Sequence, residues 1–267
     1  MKTSEMNVLI TGACGGIGRA LATRLAESGA SLYLSGRDPA ALGELHRQLL
    51  EIAGPEQIIC SEAADLTDNA QLDRLVNRLE QLDRPINVLV NNAGVLSFDL
   101  FENVNEADIE KVMYLNSVVT MKLTHRLLPG FKTLPIARIV NVASTFGAIG
   151  FPGYSIYSAS KFAVRGFSEA LARELSDSNV NVGCFLPRAT RTKINSSKVV
   201  ELNEKLNVAM DSPEVVALAL VKFLGNQKKL QAIGWPEKLL VRLNSMFPAL
   251  IGSAIEKQLP TIKQYAV

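Results

Sequence analysis

The sequence predicts an α/β fold, a doubly wound parallel sheet of seven strands with helices on both faces, and three observations predict it. Apolar runs alternate with amphipathic segments throughout the chain, as strands buried on both faces alternate with their covering helices. The first apolar run passes directly into a glycine-rich turn and then into a helical pattern. Thr11, Arg37, Asp65, Asn92 and Ser144 all fall at or just beyond the carboxyl ends of predicted strands. In such sheets that edge is where ligands collect, so one cleft can gather all five.

Asn7-Val8-Leu9-Ile10 is a short, branched apolar run, read as a buried strand over 7–11. It leads into Thr11-Gly12-Ala13-Cys14-Gly15-Gly16-Ile17-Gly18, after which 17–28 reads as a helix. A strand, a glycine turn and a helix in that order aim main-chain N–H groups and a helix N-terminus at a phosphate. Glycine is needed there because a Cβ would block the turn and hold a pyrophosphate away from the main chain. Further strands are predicted at 31–35, 57–60, 86–90, 137–143, 180–186 and 229–233. Helices are predicted at 39–53, 69–82, 105–128, 155–176, 213–224 and 236–246, with Gly29, Gly54 and Pro85 at the early turns. No repeat, low-complexity run or linker divides the chain. The expectation is one domain over 1–267, with a substrate loop at about 187–212 and a helical extension at about 236–267.

At 267 residues and 48% hydrophobic content the chain can bury a full core. A net charge of +2 argues against nucleic acid or an anionic membrane as the main partner. Cys14, Cys60 and Cys184 are odd in number and lie in or beside apolar runs, so they read as reduced thiols of a cytoplasmic protein. Neither they nor His46 and His125 have metal-ligand spacing, and no metal is expected. Met1 to Glu5 is too short and polar for a secretory signal. Residues 139–160 carry no charge, but Gly, Pro, Ser and Asn break them up, so they read as active-site wall rather than a membrane span.

Tyr157-Ser158-Ala159-Ser160-Lys161 sets a phenol and an ammonium four residues apart, on one face of a helix, thirteen residues after Ser144. A phenol titrates near ~10 and is a poor acid or base at neutral pH. A cation at about 4 Å, with an effective dielectric of ~20, favours phenolate by roughly 4 kcal/mol. That is about three pKa units, enough for general acid/base work. Asn116, in Met113-Tyr114-Leu115-Asn116-Ser117, is a poor helix former inside a predicted helix. It reads either as a buried amide satisfied by backbone or as a functional group.

With these motifs in order, the chain resembles the short-chain dehydrogenase/reductase family in its compact single-domain branch. The likeness covers about residues 6–235 and rests on TGACGGIG at 11–18, Asp65 in Ala64-Asp65-Leu66-Thr67, Asn91-Asn92-Ala93-Gly94, Asn116, Ser144 and YSASK at 157–161. The resemblance implies a Rossmann-type fold and hydride transfer between a nicotinamide and a ketone, aldehyde or secondary alcohol. It implies that Ser144 binds the carbonyl oxygen, that Tyr157 carries the proton, and that Lys161 lowers the Tyr157 pKa and contacts the nicotinamide ribose. Asn116 would hold a water leading from Lys161 to solvent. For the cofactor it implies the turn residues Gly12, Cys14, Gly15, Gly16, Ile17 and Gly18, then Asp65 and Leu66 at the adenine edge. Asn92, Ala93 and Gly94, with Tyr157, Lys161, Pro187 and Thr192, would line the nicotinamide half.

Family members that select NAD(H) usually carry an acid where this chain has Gly36, and Arg37 follows it. A guanidinium grips a 2′-phosphate bidentately, so NADP(H) is favoured over NAD(H). Asp38 is expected to cap the helix starting at Pro39 rather than to pair with Arg37. After the sixth strand the family's Pro-Gly is Pro187-Arg188 here, while Thr192 is kept. Arg188, Arg191, Lys193 and Lys198 form a basic stretch, read as a solvated loop or as contact with an anionic thioester substrate or the cofactor phosphates. Past Trp235, Leu239, Leu243, Met246, Phe247, Leu250 and Ile251 recur at helical spacing. Core or subunit packing is the favoured reading for them, with a lid or shallow membrane contact as the alternative. Association as a homodimer or homotetramer, through the helices at 105–128 and 155–176, is expected from the family. The rival functions are 3-oxoacyl-thioester reduction and a non-catalytic NADP(H)-binding regulator or scaffold. Loops 94–102, 145–156 and 187–212 are expected to choose the substrate.

Overall fold

The structure, a computed structural model, describes residues 1–266. Seven parallel strands form one sheet in the order β3-β2-β1-β4-β5-β6-β7. They are β1 (Asn7–Thr11), β2 (Ser31–Gly36), β3 (Ile59–Ala63), β4 (Val88–Asn91), β5 (Ala137–Val142), β6 (Val180–Leu186) and β7 (Leu230–Ala232). The order turns back between β1 and β4, so the loops after those two strands diverge and leave a crevice between them.

The helices joining the strands are α1 (Gly16–Glu27), α2 (Pro39–Ile52), α3 (Asn69–Glu80), α4 (Glu106–Met113), α5 (Val119–Thr133) and α6 (Ser155–Glu174). They are followed by α7 (Ser197–Lys205), α8 (Pro213–Leu224), α9 (Glu237–Met246), α10 (Pro248–Glu256) and α11 (Leu259–Tyr265). One face of the sheet packs Val8, Ile10, Leu32 and Val140 against α1, α2 and α8 through Leu21, Leu45 and Leu220. Leu9, Leu89, Ile139 and Val182 meet Leu75, Leu123 and Leu171 of α3, α5 and α6 on the other. Burial on both faces is why these strands read as unbroken apolar runs.

Several predicted boundaries moved. β3 starts at Ile59 rather than at 57, because the Gln57 amide donates to the carbonyls of Ala26 and Ala30. The predicted helix 105–128 is interrupted by a π-helical turn at Tyr114–Val118, which carries Asn116. Within the predicted substrate loop, Ser196 caps α7 and its Val199 and Leu202 are buried. The tail beyond the predicted helix 236–246 adds α10 and α11, each with Pro in its first turn. No helix among the described residues is long and apolar enough to cross a membrane.

Candidate active site

The glycine turn closes the crevice at the end of β1. Gly12 takes φ +63°, a region that side chains rarely enter, and a Cβ there would stand 2.8 Å from Cα of Ala93. A Cβ on Gly18 would lie 2.3 Å from the Gly12 carbonyl, so α1 can enter the turn only with glycine there. Helices α2, α3, α4, α7 and α8 each begin under a capping side chain, whereas the Gly15 cap of α1 supplies none and its first turn holds no acid. Its main-chain N–H groups and positive dipole end therefore face the cleft with no side chain of their own, the arrangement that accepts a pyrophosphate.

Thr11 fixes the opposite wall. Its hydroxyl accepts from the N–H groups of Asn92 (3.0 Å) and Ala93 (3.1 Å), while Asn92 Nδ2 donates to the carbonyls of Thr11 and Gly12, both at 3.1 Å. The Asn92 amide thus locks β1 to β4, and Ala93 and Gly94 line the cleft beside it. Position 94 has little room for a side chain, because a Cβ there would meet Asn116 Oδ1 at 3.0 Å and Lys161 Nζ at 3.5 Å.

Beyond the end of β2, Asp38 accepts from Ala40 N (2.9 Å) and Ala41 N (3.1 Å), so it caps α2 as the sequence predicts. Arg37 is exposed and, among the described residues, makes no ion pair with it or any other acid. Hydrogen bonds from the Thr67 hydroxyl and N–H hold the Asp65 carboxyl below its usual range, with a smaller contribution from Arg37. Leu66 beside it is buried. Cys14 Sγ would lie 3.0 Å from a Cβ on Gly36, so the thiol occupies the space that a larger residue 36 would need.

The catalytic candidates converge at the end of β5. Ser144 starts a tight turn over Thr145–Gly147, its Oγ accepting from Phe146 N at 3.1 Å. Gly147 lets that turn lie on α6, since a Cβ would stand 2.7 Å from the Lys161 carbonyl oxygen. Tyr157, in the first turns of α6, is within hydrogen-bonding reach of Ser144, and Lys161 Nζ lies 5.8 Å from the centre of its ring. Phe146 and Tyr154 stand edge-on to Tyr157 at 6.4 and 6.5 Å between ring centres, and Phe98 and Phe151 extend the aromatic wall around Tyr154.

A model of the family described as short chain dehydrogenase matches residues 6–203. The chain belongs to the short-chain dehydrogenase/reductase family. It is 30% identical over 229 residues to 3-dehydrosphinganine reductase of Danio rerio, covering 83% of this chain and 69% of that protein. The putative oxidoreductase SadH of Mycobacterium tuberculosis (strain H37Rv) is 29% identical over 270 residues, with 96% of this chain and 97% of that protein covered. Among solved structures, a short-chain dehydrogenase from Sphingobium yanoikuyae in complex with NADPH superimposes with a TM-score of 0.78 at 30% identity, over 93% of this chain and 95% of that one. A second, from Burkholderia phymatum, has a TM-score of 0.82 at 23% identity over 94% and 96%, and shares the fold. This dehydrogenase is accordingly an oxidoreductase acting on CH–OH groups.

Two features of the site bear on the expected roles of Lys161 and Asn116. Burial pushes the Tyr157 phenol up to about 12, with the contact to Ser144 pulling more weakly the other way. Lys161 is only 5% exposed, and its ammonium donates to the Val142 carbonyl at 3.0 Å over the face of the ring. Desolvation pulls it down to about 8. The Asn116 side chain is also engaged elsewhere. Its Oδ1 accepts from Val95 N at 2.8 Å, and Nδ2 donates to Val95 O and Ser160 Oγ, both at 3.0 Å. The amide braces the loop after β4 against α6, with both its hydrogens on protein partners.

The basic stretch is likewise reduced. Arg188 is bidentate to Asp211 (Nε to Oδ2 at 2.9 Å and Nη2 to Oδ1 at 2.6 Å), and its Nη1 reaches Glu237 Oε2 and the Trp235 carbonyl, both at 3.1 Å. The substitution of Arg for the family's glycine thus ties both ends of the loop to the start of α9. Meanwhile the main chain still enters the cleft, with Pro187 O accepting from Thr145 N at 3.0 Å. The Thr192 methyl would be 2.5 Å from a Cβ on Gly16, which places Thr192 on the α1 N-terminus. Sequence reasoning missed Asp211 and Glu237 because nothing local joins positions so far apart to Arg188. It also missed the buried chain Thr124–Asn91–Asn141–Ser168 that crosses β4 and β5.

The buried lysine sets a pH dependence. Its folded pKa, about 8, lies below the ordinary 10.5, so between those values the unfolded chain binds more protons. Stability of the cofactor-free enzyme therefore gains a contribution as pH rises from 8 to 10.5 and loses it as pH falls back. At ~1.4 kcal/mol per pKa unit this is roughly 3 kcal/mol. Lys161→Met removes it, measured as the difference between the two proteins in urea unfolding across that window.

Proposed function

We propose that this enzyme is an NADP(H)-dependent reductase of apolar ketones or aldehydes, reversible from the corresponding alcohols. The observation that carries the reading is a half-buried phenol beside the Ser144 hydroxyl, with a lysine ammonium over its ring. The glycine cradle fits a dinucleotide pyrophosphate, with Gly12, Cys14, Gly15, Gly16, Ile17 and Gly18 offering main chain and Thr192 closing over it. Asp65 and Leu66 would hold the adenine, and Asn92, Ala93, Gly94, Lys161 and Pro187 would hold the nicotinamide ribose and carboxamide. When bound, the nicotinamide supplies or takes the hydride.

The chain's own groups then handle the oxygen. Ser144 Oγ donates to the substrate carbonyl oxygen and fixes it against Tyr157. The Tyr157 phenol, held protonated by burial at neutral pH, is in the right form to give its proton as the oxygen becomes an alkoxide. The Lys161 ammonium stabilises the phenolate left behind, and Asn116 keeps the floor of the site in place through Val95 and Ser160. The aromatic wall of Phe98, Phe146, Phe151 and Tyr154 supports an apolar substrate.

Arg37, unpaired beside Gly36, supports NADPH, as does the NADPH bound to the Sphingobium relative. The ketoacyl reductase HetN of Nostoc sp. is 30% identical over 227 residues. A 3-oxoacyl-thioester substrate finds weaker support, since Arg188 is held by Asp211 and Glu237. One domain over 1–267 and a homodimer or homotetramer complete the proposal, supported by exposed Val118 and Phe162 on the helical stretches concerned. The test is oxidation of NADPH and NADH against a panel of ketones and aldehydes. The wild type turns over with NADPH, and Arg37→Ala loses about 10-fold or more of the NADPH preference, the scale of one charge-assisted phosphate contact. Turnover with neither nucleotide, or an unchanged preference, overturns the assignment.

A further inference from the structure

Apolar side chains lie on the outside of the C-terminal helices as well as in the core. Val241 and Ile251 are buried, with Leu240 and Leu243 packed on the same cluster as Ala148 and Ile149 of the active-site loop. Asn244 Nδ2 donates to the Ala148 carbonyl at 2.9 Å, fastening α9 to that loop. On the opposite side Trp235 is 72% exposed, Met246 69% and Leu250 64%, with Leu239 and Phe247 exposed among them. Leu239 and Met246 are seven residues apart on α9 and share its outer face with Arg242 between them, and Lys238 flanks it. Phe247 and Leu250 continue the strip onto α10.

The charge along the tail that carries the strip is mostly of one sign. From Trp235 to Lys263, Lys238, Arg242, Lys257 and Lys263 oppose only Glu237 and Glu256, in a chain whose total is +2. Glu237, the sole acid of α9, is bonded to Arg188. Exposed tryptophan, phenylalanine and methionine between exposed lysine and arginine is the composition of a helix lying in a membrane interface. It contrasts with a protein–protein interface, whose core is depleted of lysine.

We propose that α9 and α10 dock peripherally on an anionic lipid surface through Trp235, Leu239, Met246, Phe247 and Leu250, with Lys238 and Arg242 against the headgroups. Because these helices brace the active-site loop at Ala148, docking sets the substrate cleft beside the lipid. The docking itself stands apart from the assigned reaction, and its test reads no activity.

Trp235 is the single tryptophan of the chain, so it reports directly. The full-length protein is mixed with phosphatidylserine-containing vesicles and with pure phosphatidylcholine vesicles, and both Trp fluorescence and co-sedimentation are measured. The expected result is a blue shift and sedimentation with the anionic vesicles, reduced by raised salt. Met246→Ser/Leu250→Ser and Lys238→Glu/Arg242→Glu each lower the bound fraction about tenfold, with unchanged circular dichroism and NADPH affinity. No binding by the wild type, or binding by both variants equal to that of the wild type, overturns the proposal. So does a result in which Met246→Ser/Leu250→Ser shrinks the assembly in sedimentation equilibrium while the wild type ignores vesicles, because the strip would then be covered by a second copy.

Discussion

Tyr157→Phe lowers kcat/KM for NADPH-dependent ketone reduction by about 10²-fold or more, the usual cost of removing a general acid. NADPH affinity, measured by fluorescence, stays within about threefold, since the ring keeps its contacts with Phe146 and Tyr154. The fold is expected to survive the change. The phenol is half-buried, and removing its hydroxyl gives up the contact with Ser144, a loss of about 1 kcal/mol. The two effects separate a proton carrier from a packing residue: the first would lose kcat, the second would lose stability. A variant keeping more than about a tenth of the activity would show that the proton comes from elsewhere.

Arg188→Met is expected to cost about 3 kcal/mol of stability, near the lower end for breaking a buried ion pair. The side chains of Arg188, Asp211 and Glu237 are 15%, 11% and 18% exposed, so removing the cation leaves two carboxylates facing each other with little water. The urea midpoint should fall with an unchanged m value, and trypsin should cut sooner at the exposed Arg191 and Lys193 as the loop loosens. The triple variant Arg188→Met/Asp211→Asn/Glu237→Gln recovers most of the loss, because the carboxylate charges go with the guanidinium. A triple variant no more stable than Arg188→Met would mean that the side chain matters for its volume beside Gly234, where a Cβ would stand 2.4 Å from Arg188 Cδ.

What could be read in the sequence was whatever local pattern determines. β1, α1 and the glycine turn follow from an apolar run, a helical period and positions where a Cβ has no room. The spacing from Tyr157 to Lys161 placed both on one face, and the structure keeps them there. The ionisation of that pair was not legible, because it depends on burial by Phe146, Tyr154 and β5, which lie elsewhere in the chain. The π-helical turn at Asn116 was hidden for the same reason: its amide is bonded to Val95 and Ser160, on other elements. α7 escaped because its polar sequence buries only Val199 and Leu202. The outer apolar strip of α9 and α10 shares its period with the core face, and only the fold separates Leu243 and Ile251 from Met246 and Leu250.

The thiol of Cys14 against the bare Cα of Gly36 couples two positions on adjacent strand ends. A side chain introduced at 36 would put its Cβ 3.0 Å from the Cys14 sulfur, which has to give by a few tenths of an ångström. The room available at residue 36 is therefore set in part by the rotamer of residue 14, one strand away.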